Sequence, residues 1–115
     1  MPRHSLLVLT TPFEGTDEEF NRWYDDQHHA DVLDIPGFLS ARRYRIVESR
    51  YQGEALLRWR YLAIYEIECD DLSQALDEIR KRSNTTAMPI SDTLDMSQVA
   101  TLVMQPLSSS PSEDG

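Results

Sequence analysis

Residues 61–68, YLAIYEIE, alternate between two sets of side chains, and this pattern constrains the fold more than any other in the chain. Successive side chains of a β-strand point to opposite faces of its sheet, so a period of two predicts a strand with one buried face. We extend this strand over residues 56–69, and further apolar segments predict strands at residues 5–10, 38–47 and 97–105. The chain therefore provides four strands for one sheet.

Two segments between these strands have the pattern of helices. Thr16 and Glu19 have the spacing of a capping box, so the first helix begins at residue 16 or 17, and Pro36-Gly37 ends it. In residues 72–82 apolar side chains recur at helical spacing, and basic side chains fill the last turn, where the helix dipole favours them. Strand, helix, strand thus occurs twice. This order predicts an α+β, ferredoxin-like βαββαβ fold, a four-stranded antiparallel sheet with two helices on one face.

Two helices can cover only one face of such a sheet, yet its strands carry apolar side chains on both faces. In the first strand Leu6 and Val8 oppose Leu7 and Leu9. A bare sheet face with several large apolar side chains exceeds the patch that soluble monomers usually expose. We therefore expect a homodimer in which two sheets pack face to face and form an α+β barrel. The alternative is that the polar tail and residues 48–60 fold over the sheet.

Composition narrows the class of protein. The 115 residues fit a single domain, residues 1–106, followed by a polar, Pro/Ser-rich tail, residues 107–115, that we expect to be flexible. The formal net charge of −9 disfavours nucleic acid and anionic membranes as partners. Cys69 is the single cysteine, which excludes an intrachain disulfide, and the first apolar run is too short for a signal peptide or a membrane span. We therefore expect a cytoplasmic protein.

Two adjacent histidines stand in the first predicted helix. At about 100° per residue His28 lies at the margin of the buried face with Tyr24 and Asp31, whereas His29 points to the solvent. Two side chains are too few for a closed metal site, so we predict no bound metal. His28 is then either a structural histidine or a general acid or base at the rim of an internal cavity, because its ordinary pKa of about 6.5 suits proton transfer at neutral pH.

Charged and aromatic side chains at apolar positions extend this candidate site. Arg43 alternates with apolar residues on the second strand, and it is either an edge residue whose stem packs on the sheet or a partner for an anion. Glu66 alternates with apolar residues on the third strand, and a solvated strand end is the alternative for it. Several aromatic side chains either form plain core or line a pocket for an aromatic or polyketide-like ligand. They are Trp23, Tyr24, Trp59, Tyr61 and Tyr65.

Residues 19–45, EFNRWYDDQHHADVLDIPGFLSARRYR, resemble the signature of the EthD-like branch of the dimeric α+β barrel superfamily. In that signature a Trp-Tyr pair is followed by a histidine, an aspartate and a Pro-Gly-Phe turn into the second strand. The resemblance extends to residues 61–68 and 87–95 and so covers most of the chain. Where the family commonly has Leu-Pro after its histidine, this chain has His29-Ala30.

The resemblance carries the family's functional positions onto this sequence. Its histidine corresponds to His28, and the other matched positions are Trp23, Tyr24, Asp31, Arg43 and Tyr44. It implies a barrel cavity that takes a small hydrophobic or aromatic pathway intermediate. It also implies reactions of the cyclase, isomerase, dehydratase or monooxygenase type, and we expect no cofactor.

These observations predict a cofactor-independent enzyme. In this hypothesis His28 moves a proton, Tyr24 or Asp31 orients it, and Arg43 steadies an oxyanion or a substrate carboxylate. The candidate substrate-binding residues are Trp23, Tyr44, Trp59, Tyr65 and Glu66. Two alternatives remain open at this point, a non-catalytic protein that binds or carries such an intermediate and a stress-response or structural dimer with a filled core.

Overall fold

The structure is a computed structural model that describes residues 2–48, 50 and 58–108. In chain order its elements are β1 (Arg3–Thr10), α1 (Asp17–Trp23), a π-helical turn (Tyr24–His28), α2 (His29–Leu33), β2 (Phe38–Arg45), β3 (Tyr61–Glu68), α3 (Leu72–Arg82), a 3₁₀ turn (Met96–Gln98) and β4 (Ala100–Met104). The strands form one antiparallel sheet in the order β2-β3-β1-β4. The predicted ferredoxin-like fold is confirmed.

The hydrophobic core lies between the helices and one face of this sheet. Tyr65 and Ile67 of β3 are buried on that face, and they pack in one cluster with Phe20 of α1, Val32 of α2 and Ala75 of α3. Along β3 buried residues alternate strictly with half-buried ones. The predicted alternation is therefore correct, and β3 contributes its buried face to the core.

The helices begin where the sequence predicted, although the first one has a different cap. The hydroxyl of Thr16 donates to the backbone carbonyl of Phe13 at 2.6 Å, so it is not available to the first turn of α1 and the predicted capping box does not form. At α3 the side chain of Asp71 accepts a hydrogen bond from the backbone N–H of Gln74 at 3.1 Å. The predicted α3, residues 72–82, is confirmed in full.

Three strands differ from the sequence prediction. β3 begins at Tyr61, so residues 58–60 of the predicted third strand are not part of it. In β2 an irregularity between Phe38 and Ser40 shifts the alternation by one residue, so Phe38 shares its face with Ala41 and not with Tyr44, as a strict alternation would require. β4 begins at Ala100 and not at residue 97, because the side chain of Asp95 accepts from the backbone N–H of Ser97 at 3.1 Å and starts the 3₁₀ turn there. The predicted strand segment 56–57 and most of the predicted tail, residues 109–115, lie outside the described residues.

The other face of the sheet, which we call the open face, carries no helix among the described residues. Its apolar side chains come from three strands, and the register places them together; they are Leu7, Leu9, Leu62, Ile64, Leu102 and Met104. Leu102 is 56% exposed. Both faces of the sheet are therefore apolar, as the sequence predicted. Among the helices that the structure describes, none is long and apolar enough to cross a membrane.

Candidate active site

The π-helical turn between α1 and α2 positions the two histidines. The backbone N–H of His29 donates to the carbonyl of Tyr24, five residues earlier, which is the spacing of a π-helix. With that wider turn both His28 and His29 lie one turn beyond Tyr24, and both rings make edge contacts with the Tyr24 ring, with centroids 4.9 Å and 5.3 Å away. One turn of helix therefore gathers three polar rings on the same side.

A cavity of about 430 Å³ opens in front of this turn, between the helices and the inner face of the sheet. Apolar side chains from the sheet and from α3, such as Val8 and Ile79, form most of its wall. Four of the residues predicted for the site line it, namely Trp23, Tyr24, His28 and Tyr65. A pocket of this size, mostly apolar with a few polar groups, is typical of a small-molecule site.

His28 lies half-buried in the wall of this cavity. Its ring stacks on Trp23 with centroids 4.6 Å apart and planes inclined by 28°. Burial lowers the pKa of His28 to about 4, and the nearby charges of His29 and Arg43 act in the same direction. The buried Nδ1 atom has no hydrogen-bond partner within the described part of the chain. At neutral pH His28 is therefore an uncharged imidazole that can accept a proton.

Two tyrosines provide hydroxyl groups to the same cavity. Tyr65 donates a hydrogen bond to the hydroxyl of Tyr24 across 3.4 Å. Burial raises the pKa of Tyr24, and burial together with the neighbouring Tyr24 raises that of Tyr65, so both hydroxyls keep their protons at neutral pH. Because the bond between them uses one of the two protons, the other can be donated to a ligand.

Arg43 lies against the site without lining the cavity. Its guanidinium carbon is 4.3 Å from the centroid of the Tyr24 ring. The same group donates to the side chain of Asn21 at 2.8 Å and to that of Asp25 at 3.0 Å. Its positive charge therefore acts on the cavity through the ring of Tyr24, and the direct contact with a ligand oxyanion that the sequence suggested is not provided by this arrangement.

His29 does not point to the solvent, and that prediction is wrong. Its side chain is only 18% exposed, and its ring also lies 5.8 Å from that of Tyr65. The helical wheel assumed about 100° per residue throughout, and the π-helical turn breaks that assumption. Burial lowers the pKa of His29, followed by the charge of Arg43, whereas the charge of Asp25 acts in the opposite direction.

The remaining predicted residues lie outside the cavity. Asp31 is half-buried in α2, and its Oδ2 atom has no partner among the described residues. Trp59 donates its indole N–H to the carbonyl of Gln98 at the end of the 3₁₀ turn. Tyr44 and Glu66 line a small hollow on the open face. The carboxylate of Glu66 accepts there from the hydroxyl of Ser5 at 2.9 Å. None of these four residues therefore lines the cavity with His28.

The polar rim of the cavity was not predicted from the sequence. Asn84, Ser91 and Asp92 line it beside the apolar Met96, and all four lie between α3 and β4. This segment contains a turn in which the backbone N–H of Thr93 donates to the hydroxyl of Ser91 at 3.1 Å. A turn pattern fixes local hydrogen bonds, but it does not show which side chains reach a distant cavity. In the described residues no three His, Cys, Asp or Glu side chains are grouped for a metal ion.

Solved structures with this fold match nearly the whole chain at low sequence identity. An EthD family protein from Bacillus halodurans is 18% identical with a TM-score of 0.59, and the match covers 93% of this chain and 100% of that protein. A dimeric ferredoxin-like protein from an uncultured marine organism is 14% identical with a TM-score of 0.60, and the match covers 96% of this chain and 100% of that one.

A third match is a monooxygenase from Streptomyces coelicolor that was solved in complex with nanaomycin D. It is 14% identical with a TM-score of 0.52, and the match covers 96% of this chain and 93% of that protein. At these identities the similarity shows a shared fold, which is the fold that the EthD-like resemblance implied. No protein-family model matches the sequence, and no curated protein matches it either.

Proposed function

We propose that the protein is an enzyme that binds a small hydrophobic or aromatic molecule in the cavity and moves a proton by way of His28. The observation that supports this most is the cavity itself, about 430 Å³ of mainly apolar space with His28, Tyr24 and Tyr65 in its wall. A structural dimer with a filled core would have no such space. The EthD-like resemblance and the nanaomycin D complex of the Streptomyces monooxygenase support the same class of ligand.

The chemistry follows from the charge states of these groups. Neutral His28 accepts a proton from a C–H or O–H group of the ligand, and the electron pair moves onto a ligand oxygen. The hydroxyl that remains free in the Tyr24–Tyr65 pair donates to that oxygen, while the charge of Arg43 behind the Tyr24 ring stabilises it. Return of the proton from His28 to another ligand atom completes an isomerisation. In a cyclisation the enolate carbon attacks a second carbonyl and forms a carbon–carbon bond, and the resulting alkoxide takes the proton back from His28.

The low pKa of His28 limits the substrates that this mechanism can use. A base whose conjugate acid has a pKa of about 4 accepts protons weakly, so the ligand must supply an acidic one. Phenols and carbon atoms between two carbonyl groups have such protons. The proposed reaction is therefore a cofactor-independent isomerisation or cyclisation of a phenolic or 1,3-dicarbonyl compound.

A binding or carrier protein is the second candidate function. The aromatic and apolar wall of the cavity supports binding equally well, and the weak basicity of His28 is the observation that favours this alternative. We further propose that the protein is a homodimer that pairs through its open face, and the match to a dimeric ferredoxin-like protein from an uncultured marine organism supports the dimer.

A binding experiment tests whether the cavity takes a ligand. Trp23 lines the cavity whereas Trp59 does not, so a Trp59→Phe variant has one tryptophan, which reports on the cavity. We expect nanaomycin D and 2-acetyl-1-tetralone, an aromatic 1,3-dicarbonyl, to quench its fluorescence saturably. Calorimetric titration of the unaltered protein provides an independent measurement. Absence of binding in both would contradict the enzyme and the carrier proposals together.

A proton-exchange experiment separates the two functions. In deuterium oxide the enzyme should accelerate exchange of the proton between the two carbonyls of 2-acetyl-1-tetralone, followed by NMR. We expect the His28→Gln variant to keep binding the ligand and to exchange this proton at least about tenfold more slowly. His4→Gln is the matched control, because His4 does not line the cavity. Binding without any acceleration by the unaltered protein would contradict the enzyme and favour the carrier.

A further inference from the structure

We propose that the cavity selects uncharged ligands and rejects carboxylates, phosphates and sulfonates, with Asp92 as a residue that determines this specificity. The inference rests on the proposed function. That function does not specify the charge of the ligand, and the inference adds that the ligand is uncharged. Among the described residues, the polar side chains in the cavity wall are those with hydroxyls, one amide, the Trp23 indole, the His28 imidazole and a single carboxylate, that of Asp92. Its wall therefore offers no positive charge to an anionic ligand.

The lack of positive charge in the described part of the wall follows from where the basic residues lie. The chain has 11 Lys and Arg residues, and none of them lines the cavity among the described residues. The sequence has no Lys, Arg or His at the positions outside the described ranges, residues 1, 49, 51–57 and 109–115. The side chains of those positions can therefore add no cation to the cavity.

Arg43 does not provide a positive charge for direct contact with a ligand in the cavity. Its guanidinium is bound to Asp25 at 3.0 Å and to Asn21 at 2.8 Å, and it is separated from the cavity by the ring of Tyr24. It can stabilise charge that develops on a ligand oxygen beside Tyr24 during the reaction. A ligand that arrives with a full carboxylate must instead lose its water shell without gaining a cationic partner, and that is costly in an apolar cavity.

Asp92 adds repulsion to this desolvation cost. Its acidic side chain is exposed at the rim of the cavity, where it repels an approaching anion. The net charge of −9 for the whole chain acts in the same direction on an approaching anion. Since both contributions at the rim are screened by salt, they should matter most at low ionic strength.

Two ligands of nearly equal shape test the inference. 2-Naphthamide is neutral and 2-naphthoate is anionic, and both can be titrated by the fluorescence of Trp23 in the Trp59→Phe protein and by calorimetry with the unaltered protein. We expect the amide to bind at least about 30-fold more tightly than the carboxylate. Equal affinities would overturn the inference and leave the ligand cavity standing, whereas binding of neither would overturn the proposed function and the inference with it.

Variants at the rim of the cavity test the role of Asp92. Asp92→Asn should raise the affinity for 2-naphthoate by about threefold in low salt and leave that for 2-naphthamide unchanged. Asp77→Asn changes the net charge equally on the exposed side of α3, outside the cavity, and should have no such effect. Met96→Lys, which adds a cation to the wall, should raise the affinity for 2-naphthoate by at least about tenfold. No gain in Asp92→Asn, or an equal gain in Asp77→Asn, would overturn the role of Asp92.

Discussion

Arg43 influences the protonation of the candidate site although it does not line the cavity. Its side chain is 12% exposed, and its guanidinium lies on the ring of Tyr24. Its charge contributes to the lowered pKa of both His28 and His29, after the larger effect of burial. A strand arginine on the inner face of a sheet thus adds to the effect of burial on the pKa of two histidines on a helix.

Replacement of Arg43 should therefore shift these histidines in a defined direction. In Arg43→Gln the pKa of His28 should rise from about 4 towards its ordinary value of 6.5, since one cause of the depression is removed while burial remains. The pKa of His29 should rise as well. NMR titration of the imidazole Cε1–H signals measures both. If the proposed function is correct, the variant should lose its neutral base at a higher pH than the unaltered protein does.

Arg42→Gln is the control for this titration. Arg42 neighbours Arg43 in β2 but points to the open face, where it donates to the hydroxyl of Tyr44 at 3.5 Å. It carries the same charge, so a long-range effect of net charge alone would appear in both variants. Equal shifts of His28 in Arg42→Gln and Arg43→Gln would contradict the contact through Tyr24.

At the scale of elements, the sequence predicts where helices and strands exist better than how they are distorted. The Pro36-Gly37 pair, the alternation of β3 and the apolar face of α3 are local patterns, and the structure confirms them. The π-helical turn and the irregularity in β2 each change the face to which the following side chains point by one residue position. No residue type in the sequence indicates either of them. They depend on packing between distant segments, so the direction of His29 and the face of Phe38 could not be predicted.

The candidate site combines residues from regular elements with residues from an irregular segment. Trp23 on α1 and Tyr65 on β3 could be found because a regular period fixes the face to which they point, and Tyr24 and His28 line the cavity although they belong to the π-helical turn. The rim residues Asn84, Ser91 and Asp92 belong to an irregular segment, whose path depends on what it packs against. The inner wall of the cavity could therefore be predicted from the sequence, whereas its rim could not.

Gly37 connects α2 to β2 and requires a conformation that favours glycine. Its φ is +97°, and a Cβ atom there would lie 3.2 Å from both Cys69 Cβ and the Glu68 carbonyl oxygen. The carbonyl of Gly37 also accepts from the backbone N–H of Glu68 at 2.8 Å. Close approach to the end of β3 and a left-handed backbone are both needed at this position.

Gly37→Ala should lower the free energy of unfolding by about 2–3 kcal/mol, because backbone strain and a steric contact add up. Gly15→Ala is the matched control. Gly15 has a φ of +83°, but a Cβ atom added there would have nothing within 4 Å, so only the strain of about 1 kcal/mol remains. Urea denaturation of both variants measures the difference, and equal losses would show that the approach to Glu68 and Cys69 is not a significant constraint.

At the scale of the whole molecule the sheet separates two surfaces with different roles. The cavity, with His28 and Tyr24, lies on the helix side, and the open face, with Leu102, lies on the other. Tyr44 and Glu66, which the sequence assigned to substrate binding, belong to the open face. In the proposed homodimer they would lie at the contact between the two copies, and the cavity of each copy would keep its own set of catalytic groups.

The two faces of β4 provide a direct test of that homodimer. Leu102 and Val103 are neighbours with similar exposure, 56% and 45%, but the register places Leu102 opposite Leu7 on the open face and Val103 opposite Leu6 on the helix side. Leu102→Asp would bury an unpaired carboxylate in each half of the contact and should weaken the dimer at least about 100-fold. Val103→Asp adds the same charge on the other face and should leave the dimer intact.

Sedimentation velocity over a range of concentrations measures this difference. We expect the unaltered protein and Val103→Asp to sediment as dimers and Leu102→Asp as a monomer. A monomeric unaltered protein would instead favour coverage of the open face by the chain's own polar segments. In that case removal of residues 107–115 should expose the apolar side chains and cause self-association, because an uncovered apolar face of this kind is unstable in water. The two arrangements therefore predict opposite responses of the oligomeric state, a dimer that Leu102→Asp dissociates or a monomer that truncation drives to associate.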